Sequence, residues 1–114
     1  MKEGYIEIKV ELEIMKEELE TRLKKERMHQ YHSELGEELI GEIGSQYDDA
    51  MKKKLVIHHI REDLKDVNRA LLKMDMGIYG ICEETGQPLS IKQLKIIPTT
   101  RTVHELGYQR LKLL

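Results

Sequence analysis

Phenylalanine and tryptophan are absent from this chain of 114 residues, and tyrosine occurs only five times. The apolar side chains are therefore mostly leucine, isoleucine, valine and methionine, an alphabet suited to long helices. A single cysteine excludes an intramolecular disulfide framework and makes the cytoplasm the default compartment. No run approaches the roughly eighteen apolar residues of a membrane span, and the opening MKEGYIEIKVELEI is too charged for a signal peptide. Neither charge sign dominates: 19 basic against 21 acidic residues leave a net charge of −2, with no electrostatic drive towards nucleic acid phosphates. Also missing are a phosphate-binding glycine loop and a serine nucleophile elbow, so no enzyme class is indicated.

What is present is helical periodicity. Tyr5, Ile8, Leu12, Met15 and Leu19 follow alternating steps of three and four, one stripe of a helix, and the stripe continues less strictly through Leu23, Met28, Tyr31 and Leu35. Gly36, Gly41 and Gly44 then punctuate the chain and place a hairpin tip near residues 36–45. Ser45 and Asp48 form a variant capping box for a second helix. Its seam is a heptad pattern of Ile57, Ile60, Leu64, Val67, Leu71 and Met74, with Gly77 placed to end it. The fold class is all-α or nearly so: an antiparallel coiled-coil hairpin over residues 1–76, followed by a small domain over 77–114. In that domain Tyr79 to Cys82 suits a short strand or extended arm, Thr85-Gly86 and Pro88 mark turns, and Ser90 with Gln93 caps a short helix closed by Pro98. Thr102 and Glu105 repeat the capping box for a last helix bearing Val103, Leu106, Arg110, Leu111 and Leu114.

Tyr79-Gly80, Cys82, Gly86, the run Leu89 to Leu94 and Pro98-Thr99, downstream of a long helix, resemble the C-terminal finger of the DksA/TraR family, bacterial factors that bind RNA polymerase. The resemblance covers about residues 46–106 and is strongest over 77–99. The family's site is two Cys-x-x-Cys pairs separated by about seventeen residues, four thiolates for a tetrahedral structural zinc. Here the ligand positions fall on Cys82, Thr85, Val103 and Leu106, so the resemblance implies a metal-free finger without a cofactor, with Val103 and Leu106 packed where ligands would converge. Burial of Cys82 then implies a slow, poorly ionised thiol.

The resemblance also implies a mechanism: a hairpin tip carrying acidic residues enters the polymerase secondary channel and acts near the active centre, without direct DNA contact. The family's tip motif, Asp-x-x-Asp-x-Ala, is not intact. Aligned without gaps from Cys82, its second acid falls on Glu42, its first on Leu39 and its alanine on Gly44; a gapped alignment instead matches Asp48, Asp49 and Ala50 to its final Asp-x-Ala. Glu37 and Glu38 add to the acidity of this region. A nucleotide alarmone bound jointly by factor and polymerase belongs to the same implied partner set, with no contact residues that carry over. The rival reading is a structural or adaptor coiled coil that self-associates or binds another protein.

The other candidate groups have ordinary accounts. Lys52, Lys53 and Lys54 suit the solvated face of a helix. His29 and His32, spaced i, i+3 on the first helix, and His58 and His59 on the second make a cross-hairpin metal site geometrically imaginable, but adjacent residues diverge by about 100°, so His58 and His59 cannot both point inward, and no carboxylate pair converges with them. Cys82 with His104 is the sole nucleophile and base to propose, and a chain this slender leaves little volume for a pocket.

Overall fold

The computed structural model describes the backbone of residues 3–40 and 44–105 and the side chains of 3–28 and 49–105. Three helices follow in order: α1 (Tyr5–Ile40), α2 (Gly44–Met76) and α3 (Ile91–Ile96). The helical hairpin anticipated from periodicity is present, with helices of 36 and 33 residues. Helix α1 runs through Gly36, which the sequence marks as a breaker; one glycine costs a helix only about 1 kcal/mol, which a long helix absorbs. Helix α2 begins at Gly44, so Ser45 lies inside its first turn rather than before it.

The chain divides into two compact units, Met1–Met15 with Asp66–Leu114, and Lys16–Lys65. In the first, Tyr5, Ile8 and Leu12 of α1 and Val67, Ala70 and Met74 of α2 are buried, together with Tyr79, Cys82, Leu89 and Leu94. In the second, Leu19, Ile57 and Ile60 are buried. Two members of the expected α2 seam, Leu64 and Leu71, are only half-buried, and Ala70 takes a buried place beside Leu71. In α1, Met28 is 56% exposed while Glu26 is half-buried. Continuing steps of three and four from Leu19 and Leu23 reaches position 26, and residue 28 faces away. Tyr31 and Leu35 lie outside the described side chains.

Helix α2 ends as the sequence requires. Gly77 adopts φ +75°, its N–H donates to Met74 O at 3.1 Å, and the Ile78 N–H donates to Lys73 O at 2.9 Å. This pair of bonds satisfies two of the last-turn carbonyls, and the left-handed conformation at Gly77 favours glycine. The chain then makes a narrow loop. Among the described residues its one extended pairing is the isolated antiparallel bridge between Ile81 and Pro88, where Cys82 N–H donates to Gln87 O at 2.8 Å and Leu89 N–H to Gly80 O at 2.6 Å. Ser90 Oγ accepts the Gln93 N–H at 3.3 Å and starts α3. Thr102 Oγ1 accepts the Glu105 N–H at 3.2 Å, while Glu105 Oε2 reaches back to the Arg101 N–H at 2.8 Å. The Ser90–Gln93 pair makes the forward bond of a capping box, and the Thr102–Glu105 pair makes both, its return bond displaced by one residue.

Candidate functional site

The finger segment makes a tight backbone knuckle around its lone sulfur. Cys82 is 1% exposed, and the Thr85 N–H donates to its Sγ at 3.4 Å. Gly86, at φ +72°, lets the chain turn so that its N–H donates to Cys82 O at 2.9 Å. Hydrogen bonds from Thr85, and from the Val103 and Glu84 backbone, lower the thiol's pKa to about 7 against the opposing effect of burial. The restricted access expected of Cys82 is present, but the poor ionisation expected from burial is corrected: hydrogen-bond donors aimed at sulfur favour the thiolate. Alkylation of the native protein by iodoacetamide is expected to rise with a midpoint near pH 7. A midpoint near an ordinary thiol's, about 8.5, would show that the Thr85 amide does not hold the sulfur.

The donor set does not suit zinc. Beside the Cys82 thiolate, Thr85 is exposed and its hydroxyl oxygen accepts the Gln87 N–H at 3.3 Å. Val103 is 40% exposed, which does not match the apolar cluster expected around it, and Leu106 lies outside the described residues. One thiolate, a hydroxyl and two alkyl side chains cannot supply a closed structural site. Among the described residues no group of three or more His, Cys, Asp or Glu side chains is placed to hold a metal ion.

An ionic cluster ties the same region together. Glu83, the residue after Cys82, takes Arg69 on Oε1 at 2.7 Å, Lys73 on Oε1 at 2.7 Å and Arg101 on Oε2 at 2.8 Å. The Glu83 N–H also donates to Arg101 O at 2.9 Å. One carboxylate thereby joins the end of α2, the knuckle and the strand of chain leading to residue 103. Lys73 foremost, with Arg101 and Arg69, lowers its pKa to about 2, against a smaller desolvation effect. A depressed carboxylate stabilises the fold above its unfolded pKa of about 4.3, and that contribution is lost as pH falls towards about 2. Glu83→Gln is expected to cost roughly 1–2 kcal/mol at pH 7, because three cations lose a shared partner in a part-exposed setting. Urea unfolding at pH 7 and pH 3 checks this: the gap between wild type and variant should narrow at pH 3, and a gap independent of pH would assign the effect to packing.

Tyr79 closes the other side of the finger. Its hydroxyl donates to Pro98 O at 2.7 Å, and its ring meets Tyr5 edge-on with centroids 5.2 Å apart. Burial, with the nearby Tyr5 and Glu11, pushes its pKa up, so it remains a neutral donor. A groove of about 550 Å³ lies beside this pair, bounded by Tyr5, Met74, Asp75, Tyr79 and Pro88. It is larger than the slender chain suggested. No nucleophile and base face each other among its lining residues, and Cys82 and His104 do not pair: His104 is turned outward to Glu84 at 3.5 Å, its side chain 76% exposed.

The proposed tip residues are placed unevenly. Asp49 is exposed and Ala50 half-buried, in the second turn of α2. Asp48 lies in the same helix with its side chain outside the described set, and Glu42 lies outside the described residues. Lys52 and Lys54 are exposed, Lys53 is half-buried, and His58 and His59 are both exposed with ring centroids 5.8 Å apart. The residue sequence reasoning missed is Glu83. Its signal was weak, since an acid beside a relic ligand position reads as surface until α2 brings Arg69 and Lys73 to it.

Two long helices followed in the chain by a finger-like segment define a helical-hairpin finger protein. No family model matches the chain. It is 36% identical over 101 residues to the uncharacterised protein YlyA of Bacillus subtilis, covering 89% of this chain and 74% of that protein. It is 29% identical over 87 residues to the RNA polymerase-binding transcription factor DksA of Caulobacter vibrioides, covering 76% of this chain and 58% of that protein. Its fold matches that of transcription factor DksA2 from Pseudomonas aeruginosa with a TM-score of 0.76 at 20% identity, over 96% of this chain and 84% of that one. The chain belongs to the DksA/TraR family. Among the described residues no helix is long and apolar enough to cross a membrane.

Proposed function

We propose that this protein is a non-catalytic transcription regulator that binds RNA polymerase through its secondary channel and acts with the hairpin tip near the active centre, without contacting DNA directly. The observation that carries this reading is the family relationship, in which the Caulobacter relative is an RNA polymerase-binding factor. Helices of 36 and 33 residues supply a hairpin, and the acids between Glu37 and Asp49 concentrate negative charge where α1 gives way to α2. In a confined, partly desolvated channel a carboxylate alters local electrostatics more than it does in water. Glu42, or Asp48 with Asp49 and Ala50, forms the acting tip, and a nucleotide alarmone is a candidate joint ligand with polymerase. The finger serves as a metal-independent head.

The experiment is in vitro transcription beside a polymerase-binding assay, using Glu42→Ala, Asp48→Ala and Asp49→Ala singly and combined. Binding should persist while the effect on initiation fades in the combined variant. Wild-type protein that neither binds polymerase nor alters transcription would leave the self-associating adaptor as the better account. A combined variant that still acts like wild type would remove the tip from the mechanism.

A further inference from the structure

The outer face of α1 carries a feature that neither the hairpin seam nor the finger uses. Ile6, Val10 and Ile14 recur every fourth residue and are 60%, 51% and 52% exposed. At about 100° per residue they form one ridge, opposite the buried column of Tyr5, Ile8 and Leu12. The ridge is bordered on its two sides by Glu7 and Glu13, both exposed. Lys9 is rotated about 100° from Val10 and is half-buried. At one edge Lys95 of α3 reaches Glu7 at 3.8 Å.

We propose that the α1 strip from Ile6 to Ile14 is a docking surface for a basic amphipathic helix of another protein. An i, i+4 ridge is the shape that fits the groove of a second helix. The apolar anchors supply burial, while flanking glutamates select lysine or arginine at the partner's edges. A second copy of this chain fits poorly, because pairing two such strips sets glutamates against glutamates. An anionic membrane surface would repel the same carboxylates. This surface is independent of the polymerase reading, which rests on family membership and on acids near the other end of the helices.

The test uses the full chain and a fluorescently labelled synthetic helix of leucine and lysine, with leucines at i, i+4 and lysines flanking them, read by anisotropy. Binding is expected, with no binding of a control peptide carrying glutamate in place of lysine. Val10→Gln with Ile14→Gln should weaken it about tenfold, the scale of losing central apolar anchors. Glu7→Gln with Glu13→Gln should weaken it and flatten its dependence on salt between about 50 and about 300 mM. Leu72→Gln, on an exposed site of α2, should leave it unchanged. All these positions are exposed, so circular dichroism melts should match wild type; if one pair lowers the melting temperature, the other still decides. No peptide binding, or equal loss with Leu72→Gln, overturns the proposal. So does a dimer in sedimentation that the strip substitutions dissolve, or strip-dependent binding to phosphatidylglycerol vesicles.

Discussion

Gly80→Ala is expected to destabilise the protein by about 3 kcal/mol or more, summing backbone strain and overpacking. Gly80 sits at φ +84°, where an L side chain is strained. A Cβ there would also overlap the Tyr5 hydroxyl, lie 3.1 Å from Tyr5 Cζ and lie 3.3 Å from Leu94 Cδ1. Leu94 is fully buried and Tyr5 is held edge-on against Tyr79, so neither moves aside without disturbing the head. Thermal unfolding should show a fall of roughly 10 °C or more. Two comparisons isolate the cause. Gly77→Ala shares the positive φ but meets nothing within 4 Å, so it should cost only about 1–2 kcal/mol. In a Tyr5→Phe background the nearest overlapping atom is gone, and Gly80→Ala should cost less than in wild type. Equal costs for Gly77→Ala and Gly80→Ala would show that strain alone acts at both sites.

Leu12→Ala is expected to cost about 2–5 kcal/mol, the loss for truncating a leucine that the fold encloses completely. Leu12 is 0% exposed, in the column that α1 turns towards the head. Leu64, placed by the heptad pattern in the same kind of seam, is half-buried, and its truncation should cost roughly 1–2 kcal/mol in proportion to the area already in water. Ile14→Ala, on the outer face at 52% exposure, should stay within about 0.5 kcal/mol of wild type. Urea unfolding with all three variants orders them. If Leu64→Ala matched Leu12→Ala, the seam would be tighter than the structure has it; if Ile14→Ala matched either, the strip would be packed in solution.

Local features were legible from residue order because their causes are local. The two boxes starting at Ser90 and Thr102, and the Gly77 stop, need only a hydroxyl or a missing Cβ at the right offset, and the structure makes those hydrogen bonds. The buried column of α1 through Leu19 follows from spacing for the same reason. Gly36 reads as a break in the sequence, but propensity is a weak effect that a long helix overrides. Met28 fits the stripe by hydrophobicity but not by angle, and the geometry turns it outward.

By itself the sequence determined that the chain is helical, where its second long helix stops, and that a single thiolate is left at the finger's ligand positions, since each follows from side-chain chemistry and period. Tertiary structure alone decided three things. It brought Arg69, Lys73 and Arg101 around Glu83, across separations of up to 18 residues. It aimed amide donors at the Cys82 sulfur, reversing the effect of burial on that thiol. And it left Ile6, Val10 and Ile14 exposed while Ile8 and Leu12 went inside. Charge pairing, sulfur ionisation and the choice between two apolar faces of one helix all depend on what lies opposite a residue in space, which spacing along the chain does not encode.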